Sequence, residues 1–317
     1  MDPQHVRYFL AVVDHGSING AASSLGVAQP TISQALRLLE RELKTPLFHR
    51  VGRGMVPTSA GHALVSPGRT LLRDLGVAAG AVPDADGLLR GHLDIRAFPA
   101  ANSVALAHLI RTFNAAQPRV SLQLEVMWEE ARTASLLRSA ACEIVVTHLP
   151  YPESHDADDE GGFDTVTLGM QEYVLVFPAG FDVPDHDPIS WEEIDFPIVA
   201  APQGGRHADE IYGHYTAAQQ ARRPAVVVQN REARLAFALA GVSPTWIERS
   251  MTETATSRGG QVRSVAPALR TPYGLVFDGD NLSPAAAAFV ALARAYAEAA
   301  QDDDAATWTN ASAAGDS

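Results

Sequence analysis

Winding residues 30–43 as a helix places Ile32, Leu36, Leu39 and Leu43 on one stripe, at the three- and four-residue steps of a buried face. Pro30, Gln34, Arg37 and Arg41 fall on the opposite side, flanked by Gln29, Thr31 and Ser33, and no acid precedes Glu40 and Glu42. An amide, hydroxyls and an arginine near a helix start are the groups that read base edges in a major groove. An ordinary solvated helix face carries the same groups, so the flanking segments decide between the two.

Upstream, Asp2-Pro3 is a helix start, with an acidic cap and proline at the first helical position. Val6, Phe9, Leu10 and Val13 form its apolar stripe, and His15-Gly16 ends it. Ser17 caps a second short helix carrying Ala21, Ala22 and Leu25, and Gly26 closes that one. The link Gly26-Val27-Ala28 is so short that the next helix must cross the second sharply, which is a helix-turn-helix. Beyond Leu43, two short apolar segments flank Gly52-Arg53-Gly54, the pattern of a hairpin wing whose arginine reaches phosphate or minor groove.

Further on, Leu64, Leu71, Leu75, Ala78 and Val82 recur at helical steps, with Gly68 at the missing turn. This spacing suits the pairing of two chains. Pro67 predicts a kink or break near Ser66, because an interior proline costs about 3 kcal/mol. Residues 83–87 read as a linker. From Gly91 strands and helices alternate: strands over 92–97, 120–126, 143–147, 172–177, 197–200, 225–228 and 273–277, with helices over 103–116, 129–140, 208–220, 231–240, 244–251 and from Ser283. Such alternation predicts parallel sheets covered by helices. The acidic run 154–162 reads as a solvated loop, and a disordered tail is expected over 301–317.

Charge changes this picture. The chain of 317 residues has a net charge of −13, which by itself argues against a nucleic-acid partner. Residues 1–75 nevertheless hold eight basic and five acidic side chains, so a mildly basic head sits on an acidic body. The hydrophobic fraction of 46% supports real cores. No apolar stretch has the length of a membrane span and the start lacks the basic and apolar regions of a signal peptide, so no membrane partner and a cytoplasmic location are expected. Cys142, the single cysteine, excludes an intrachain disulfide and a multi-cysteine zinc site.

Taken together, Phe9, Gly16-Ser17, Ala21-Ala22, Leu25, Gln29, Ser33, Leu39-Glu40, Leu43, Leu47-Phe48, Arg50, Arg53, Thr58 and Ala60-Gly61 form a gap-free constellation that resembles the LysR-type transcriptional regulators. The chain departs from that pattern at Ala28, Lys44 and Pro57, where a capping serine, a glycine and an aliphatic residue are usual. The resemblance implies an α/β chain: an N-terminal winged helix-turn-helix over 1–58, a linker and dimerisation helix over 59–87, and an effector-binding domain over 91–300. That domain would comprise two Rossmann-like α/β subdomains resembling a periplasmic-binding-protein fold, subdomain I about 91–160 plus a C-terminal return and subdomain II about 164–265. The implied partners are double-stranded operator DNA, RNA polymerase, a small-molecule effector and further copies of the chain in a homodimer or homotetramer. Ser17, Gln29, Pro30, Thr31, Ser33, Gln34, Arg37, Arg50 and Arg53 are the expected DNA-binding residues.

For the effector, ligands in open α/β sheets bind at the carboxyl ends of strands. That places Ala101, Asn102, Ser103, Trp128, Thr147, His148, Gln203, Gly204 and Arg206 around a cleft. Asn102 and Ser103 at a helix start suit a carboxylate or phosphate, and the turn from Pro202 to Arg206 can hold an anion or be a plain strand-helix turn, so an anion is one candidate effector class. Trp128 reads either as an aromatic wall or as core, and His148 as a hinge residue or a ligand. No nucleophile elbow, paired-histidine zinc motif or phosphate-binding loop occurs, so no cofactor, metal or catalytic residue is expected. Two other functions stay open: a small-molecule enzyme with an N-terminal DNA-binding or interaction module, and a DNA-binding protein without effector.

Overall fold

The computed structural model describes residues 1–52, 54–80, 88–101, 103–152, 162–202, 211, 213–220 and 223–313. The chain opens with helices α1 (Pro3–His15), α2 (Ile18–Leu25) and α3 (Gln29–Leu43), then a hairpin of β1 (Phe48–Val51) and β2 (Gly54–Pro57). Each helix boundary has a local cause. Asp2 accepts the Gln4 amide and Ser17 accepts the Gly20 amide, while Gly16 and Gly26 take the left-handed conformation at φ 64°. Lys44 adopts the same conformation at φ 55° without being glycine, and Ala28 starts α3 without a side-chain cap. Val6, Phe9, Leu10, Ile32, Leu36 and Leu39 are buried together as the core of this head. Leu43, expected on that stripe, is 38% exposed, because the helix ends there before a partner can cover it.

Helix α4 (Ser59–Gly80) runs for 22 residues through Pro67 without the expected break. Packing on both sides of the proline outweighs its cost. Leu64, Val65, Leu71 and Leu72 lie against the head core, and Gly68 lies so close to α1 that a Cβ there would meet Val6 Cγ1 at 3.0 Å. Part of the stripe read as an inter-chain seam is therefore used within the chain, whereas Leu75 and Ala78 are exposed. Val82 and the linker 83–87 lie outside the described residues.

The remaining strands are β3 (Gly91–Ala97), β4 (Val120–Val126), β5 (Ile144–His148), β6 (Asp164–Phe177), β7 (Ile189–Ser190), β8 (Val199–Ala200), β9 (Val226–Val227), β10 (Thr245–Glu248), β11 (Gln261–Arg263), β12 (Val265–Ala266) and β13 (Arg270–Phe277). Nine of them form one sheet in the order β4-β3-β5-β13-β6-β10-β8-β9, with β11 also on β6. The first lobe holds parallel β4, β3 and β5, then β13 antiparallel to β5 and to the first part of β6. The second holds the last part of β6 antiparallel to β10 and β11, with β8 and β9 parallel to β10. The expected parallel alternation is thus interrupted at the centre by two antiparallel strands.

Helices α5 (Val104–Ala116) and α10 (Pro284–Ala313) cover one face of the first lobe, burying Leu106, Leu109, Phe113 and Phe289 against Leu93, Ile95 and Leu275. Helix α6 (Thr133–Arg138) covers the other face and packs on Cys142 and Val145. In the second lobe α7 (Ala217–Gln220), α8 (Arg231–Leu239) and α9 (Thr252–Ser257) accompany the strands.

Several expected elements change. Residues 244–251 are not a helix: Thr245 to Glu248 form strand β10, buried at all four positions between β6 and β8. A short apolar run lacks a distinguishing period, and the β-branched and aromatic Thr245, Trp246 and Ile247 suit a doubly covered strand. The helix expected over 129–140 is a single 3-10 turn, Glu130–Arg132, followed by the short α6. The strand expected over 172–177 is the second half of the 14-residue β6, which belongs to both lobes. Helix α10 continues to Ala313, past the start of the expected disordered tail. Of the helix expected over 208–220, residues 211, 213 and 214 are helical and α7 follows after a break at Tyr215 and Thr216, and most of the loop expected over 154–162 lies outside the described residues.

Candidate functional site

In the head, α3 presents one face to the core and the other to solvent. Gln29, Pro30, Thr31, Gln34 and Arg37 are exposed and Ser33 is half-buried. Ser33 ties its neighbours down: Gln29 Nε2 donates to Ser33 Oγ at 2.9 Å, and Arg37 Nε donates to the Ser33 carbonyl at 3.1 Å. The arginine tether uses Nε alone, so the planar fork that matches a guanine edge or a phosphate is held on the exposed face. Ser17 sits half-buried at the start of α2, where its hydroxyl accepts the Gly20 amide at 3.1 Å. Accepting leaves its own proton available to a phosphate oxygen.

The wing is fixed to the helices by backbone contacts. Met55 N–H donates to the Gly16 carbonyl at 2.8 Å, and Leu47 N–H donates to Glu40 Oε1 at 2.7 Å. Gly61 lies against the Leu47 carbonyl, where a Cβ would come within 2.2 Å of the oxygen, so only glycine fits. An ion pair of Arg69 with Asp14 at 2.5 Å joins α4 to α1. Arg50 is exposed on β1, and Arg53 lies outside the described residues.

The second concentration of polar groups lies where the lobes meet. Strand β6 crosses from one to the other between Glu172, paired with Arg270 of β13, and Tyr173, paired with Glu248 of β10. Thr147 and His148, at the end of β5, are buried, and both bond one carboxylate oxygen: Thr147 Oγ1 donates to Glu130 Oε1 at 2.9 Å, and His148 Nδ1 lies 2.7 Å from it. The other ring nitrogen, Nε2, is 3.0 Å from the Tyr173 hydroxyl, which is 3.1 Å from Gln171 Oε1. The edge of Phe98 closes on the imidazole at 5.5 Å. A buried polar chain therefore runs from the turn before α6, through β5, onto the crossing strand. Just outside it, Glu172 takes Arg249 from the second lobe and Arg270 from the first, and these bonds, Arg249's foremost, hold its carboxyl below the usual range.

Two family models match this chain: the bacterial regulatory helix-turn-helix protein, lysR family, over residues 3–62, and the LysR substrate binding domain over residues 86–298. The chain is a LysR-type transcriptional regulator.

Relatives agree along its length. The HTH-type transcriptional regulator TcbR of a Pseudomonas species is 26% identical over 301 residues, covering 94% of this chain and 100% of TcbR. In fold the regulator is similar to full-length OxyR from Pseudomonas aeruginosa, with a TM-score of 0.68 at 18% identity over 93% of this chain and 94% of that one. A crystal structure of full-length CbnR complexed with its target DNA gives a TM-score of 0.64 at 22% identity over 94% of this chain and 100% of that one.

The residues picked from the regulator's sequence divide as follows. Gln29, Pro30, Thr31, Ser33, Gln34 and Arg37 share one helix, and Arg50 lies on the adjoining wing. Thr147 and His148 meet at the lobe junction. Ala101 is buried in a 3-10 turn, Pro99–Ala101, and Ser103 caps α5 by accepting the Leu106 amide at 3.4 Å. Ser103 also bonds Tyr273, whose phenol burial pushes up. Trp128 is 43% exposed, which removes the core alternative and leaves an open aromatic surface beyond β4. Asn102, Gln203, Gly204 and Arg206 lie outside the described residues. Sequence reasoning missed Glu130, Gln171, Tyr173 and Glu248. No spacing links Glu130 or Glu248 to the junction; the only available signal was the unbroken run from Tyr173 to Phe177, which marks a strand buried on both faces.

Proposed function

We propose that α3 enters the operator's major groove with Gln29, Pro30, Thr31, Ser33, Gln34 and Arg37 at the base edges and backbone. Ser17, Arg50 and Arg53 contact phosphate or the minor groove. The observation that carries this assignment is the Gln29–Ser33–Arg37 tether, which pre-orients a polar surface on the helix whose opposite face is buried in the head core. The regulator works in the cytoplasm as a homodimer or homotetramer on a two-fold-related operator and alters promoter use by RNA polymerase. No helix among the described residues is long and apolar enough to cross a membrane.

A small molecule bound between the lobes is the proposed effector, with Ala101, Ser103, Trp128, Thr147 and His148 on the first-lobe side. Its binding must favour one lobe arrangement over another to change operator affinity. Burial pushes the Cys142 thiol up to about 12, so it stays protonated in the core. No catalytic step is assigned to the chain.

The test is a gel-shift series on the regulator's own upstream region with the salt concentration varied. A steep loss of affinity between roughly 50 and 200 mM salt is expected for a protein contacting several phosphates. Absent or salt-independent binding overturns the DNA assignment. Retention of operator preference by Arg37→Ala removes α3 as the reading helix.

A further inference from the structure

One buried polar atom at the junction has no partner among the described residues. Glu248, the last residue of β10, is 2% exposed. Its Oε1 lies 3.5 Å from Arg231 Nη1, and its Oε2 is shielded from solvent and has no hydrogen-bond partner among the described residues. A buried carboxylate oxygen without a donor is costly, and such atoms call for an explanation.

Its position supplies one. Glu248 stands directly opposite Tyr173 in the antiparallel register, so both side chains rise from the same face of the sheet. The Tyr173 hydroxyl on that face already reaches His148 of the first lobe. Glu248 also ends a strand that runs parallel to β8, and the carboxyl ends of such strands are where α/β sheets bind ligands. Of the cations close by, Arg231 faces Oε1, and neither it nor Arg234 bonds Oε2. Arg231 is shared with Glu232, whose Oε1 takes its Nε at 2.9 Å, and Arg234 Nη1 donates to the carbonyls of Val228 and Gln229. None of the described residues supplies the missing donor, and a charged donor bonds a buried carboxylate most strongly.

We propose that Glu248 determines effector specificity, and that it selects a small molecule bearing a cationic N–H donor, an ammonium or guanidinium group, which bonds Oε2. Glu248 takes this role only if the lobe junction is the effector site, as proposed above. The class differs from the anion suggested by the turn at Gln203 to Arg206, which lies outside the described residues.

The test uses the full-length regulator and matched probes: 1,5-diaminopentane, 1,5-pentanediol and glutarate share one carbon skeleton with ammonium, hydroxyl or carboxylate ends, and agmatine adds a guanidinium. At roughly 10 mM probe, a cationic compound should raise the wild-type Tm by about 3 °C or more, with the diol and glutarate below about 1 °C. Glu248→Gln should cut the cationic shift below about 1 °C while its own Tm, without probe, stays within about 3 °C of wild type. If Glu248→Gln does not fold, Glu248→Asp, which keeps the charge but withdraws it by one methylene, should weaken calorimetric affinity for the cationic probe by about tenfold or more. A wild-type response to glutarate or the diol alone, no response to either cation, or an undiminished response in the variants overturns the proposal. Repeating the operator gel shift with each probe separates the two claims. A cation that binds through Glu248 without changing operator affinity leaves the Glu248 site standing and removes its role as effector site. A glutarate response that changes operator affinity does the reverse.

Discussion

The head and the lobe junction hold their polar residues in opposite ways. On α3, Gln29 and Arg37 are exposed and tied to Ser33 by bonds that stay within one turn of helix. At the junction, His148 is buried and bonds residues 18 and 25 positions away, on a different turn and a different strand. Water can take the place of any bond broken on α3. It cannot easily reach the junction, so removing one member there strands its partners. The surface of α3 can therefore change at little cost to folding, whereas the effector proposed for the junction would meet groups that also hold both lobes.

The largest expected effect is at Glu130. Glu130→Ala deprives both Thr147 and His148 of their acceptor and should cost about 3 kcal/mol, seen in denaturant melts as a lower midpoint. Arg37→Ala should show the contrast, with stability within about 0.5 kcal/mol of wild type and operator discrimination weakened by about 1–3 kcal/mol in competition binding. If Arg37→Ala destabilises the fold as much as Glu130→Ala, the contrast between the two regions is broken. Tyr173→Phe removes one bond between the lobes and should cost about 1 kcal/mol, and a cost shared equally by a Glu130→Ala background would show that the chain does not act as a unit.

The smallest effect concerns acid. Glu172 has a lowered folded carboxyl value, set first by its bond from Arg249. Its contribution is therefore fully present above the unfolded carboxylate range and is lost as pH falls through the lowered folded value. Glu172→Gln should flatten the fall in Tm between roughly pH 5 and pH 3, and an unchanged slope would remove Glu172 from the acid response.

Legibility followed the range of the interactions. Asp2, Gly16, Ser17 and Gly26 act on amides within a few residues, so the helix boundaries of the head could be read in order. The stripe Ile32, Leu36, Leu39 repeats at the helical period and is buried as expected, and it fails only at Leu43, where the helix ends. Beyond Gly91 the expected strands over 92–97 and 120–126 match β3 and β4, because each alternates over a full seven residues. Thr245 to Glu248 is too short to show a period, and its strand pairing with β6 and β8 depends on residues far away in sequence. For the same reason Pro67 looked like a break: the packing that keeps α4 continuous through it comes from α1.

The amino-acid sequence alone determined the winged helix-turn-helix, the polar face of α3 and the kind of protein this is, since caps, periodicity and the order of motif residues are local properties that survive without a fold. Only the tertiary structure decided that β6 serves both lobes, that Glu130 and Tyr173 meet at His148, and that Glu248 is buried with one oxygen unbonded among the described residues. Those facts arise from hydrogen-bond register and burial between distant segments, and no local pattern encodes which distant group will supply, or withhold, a partner.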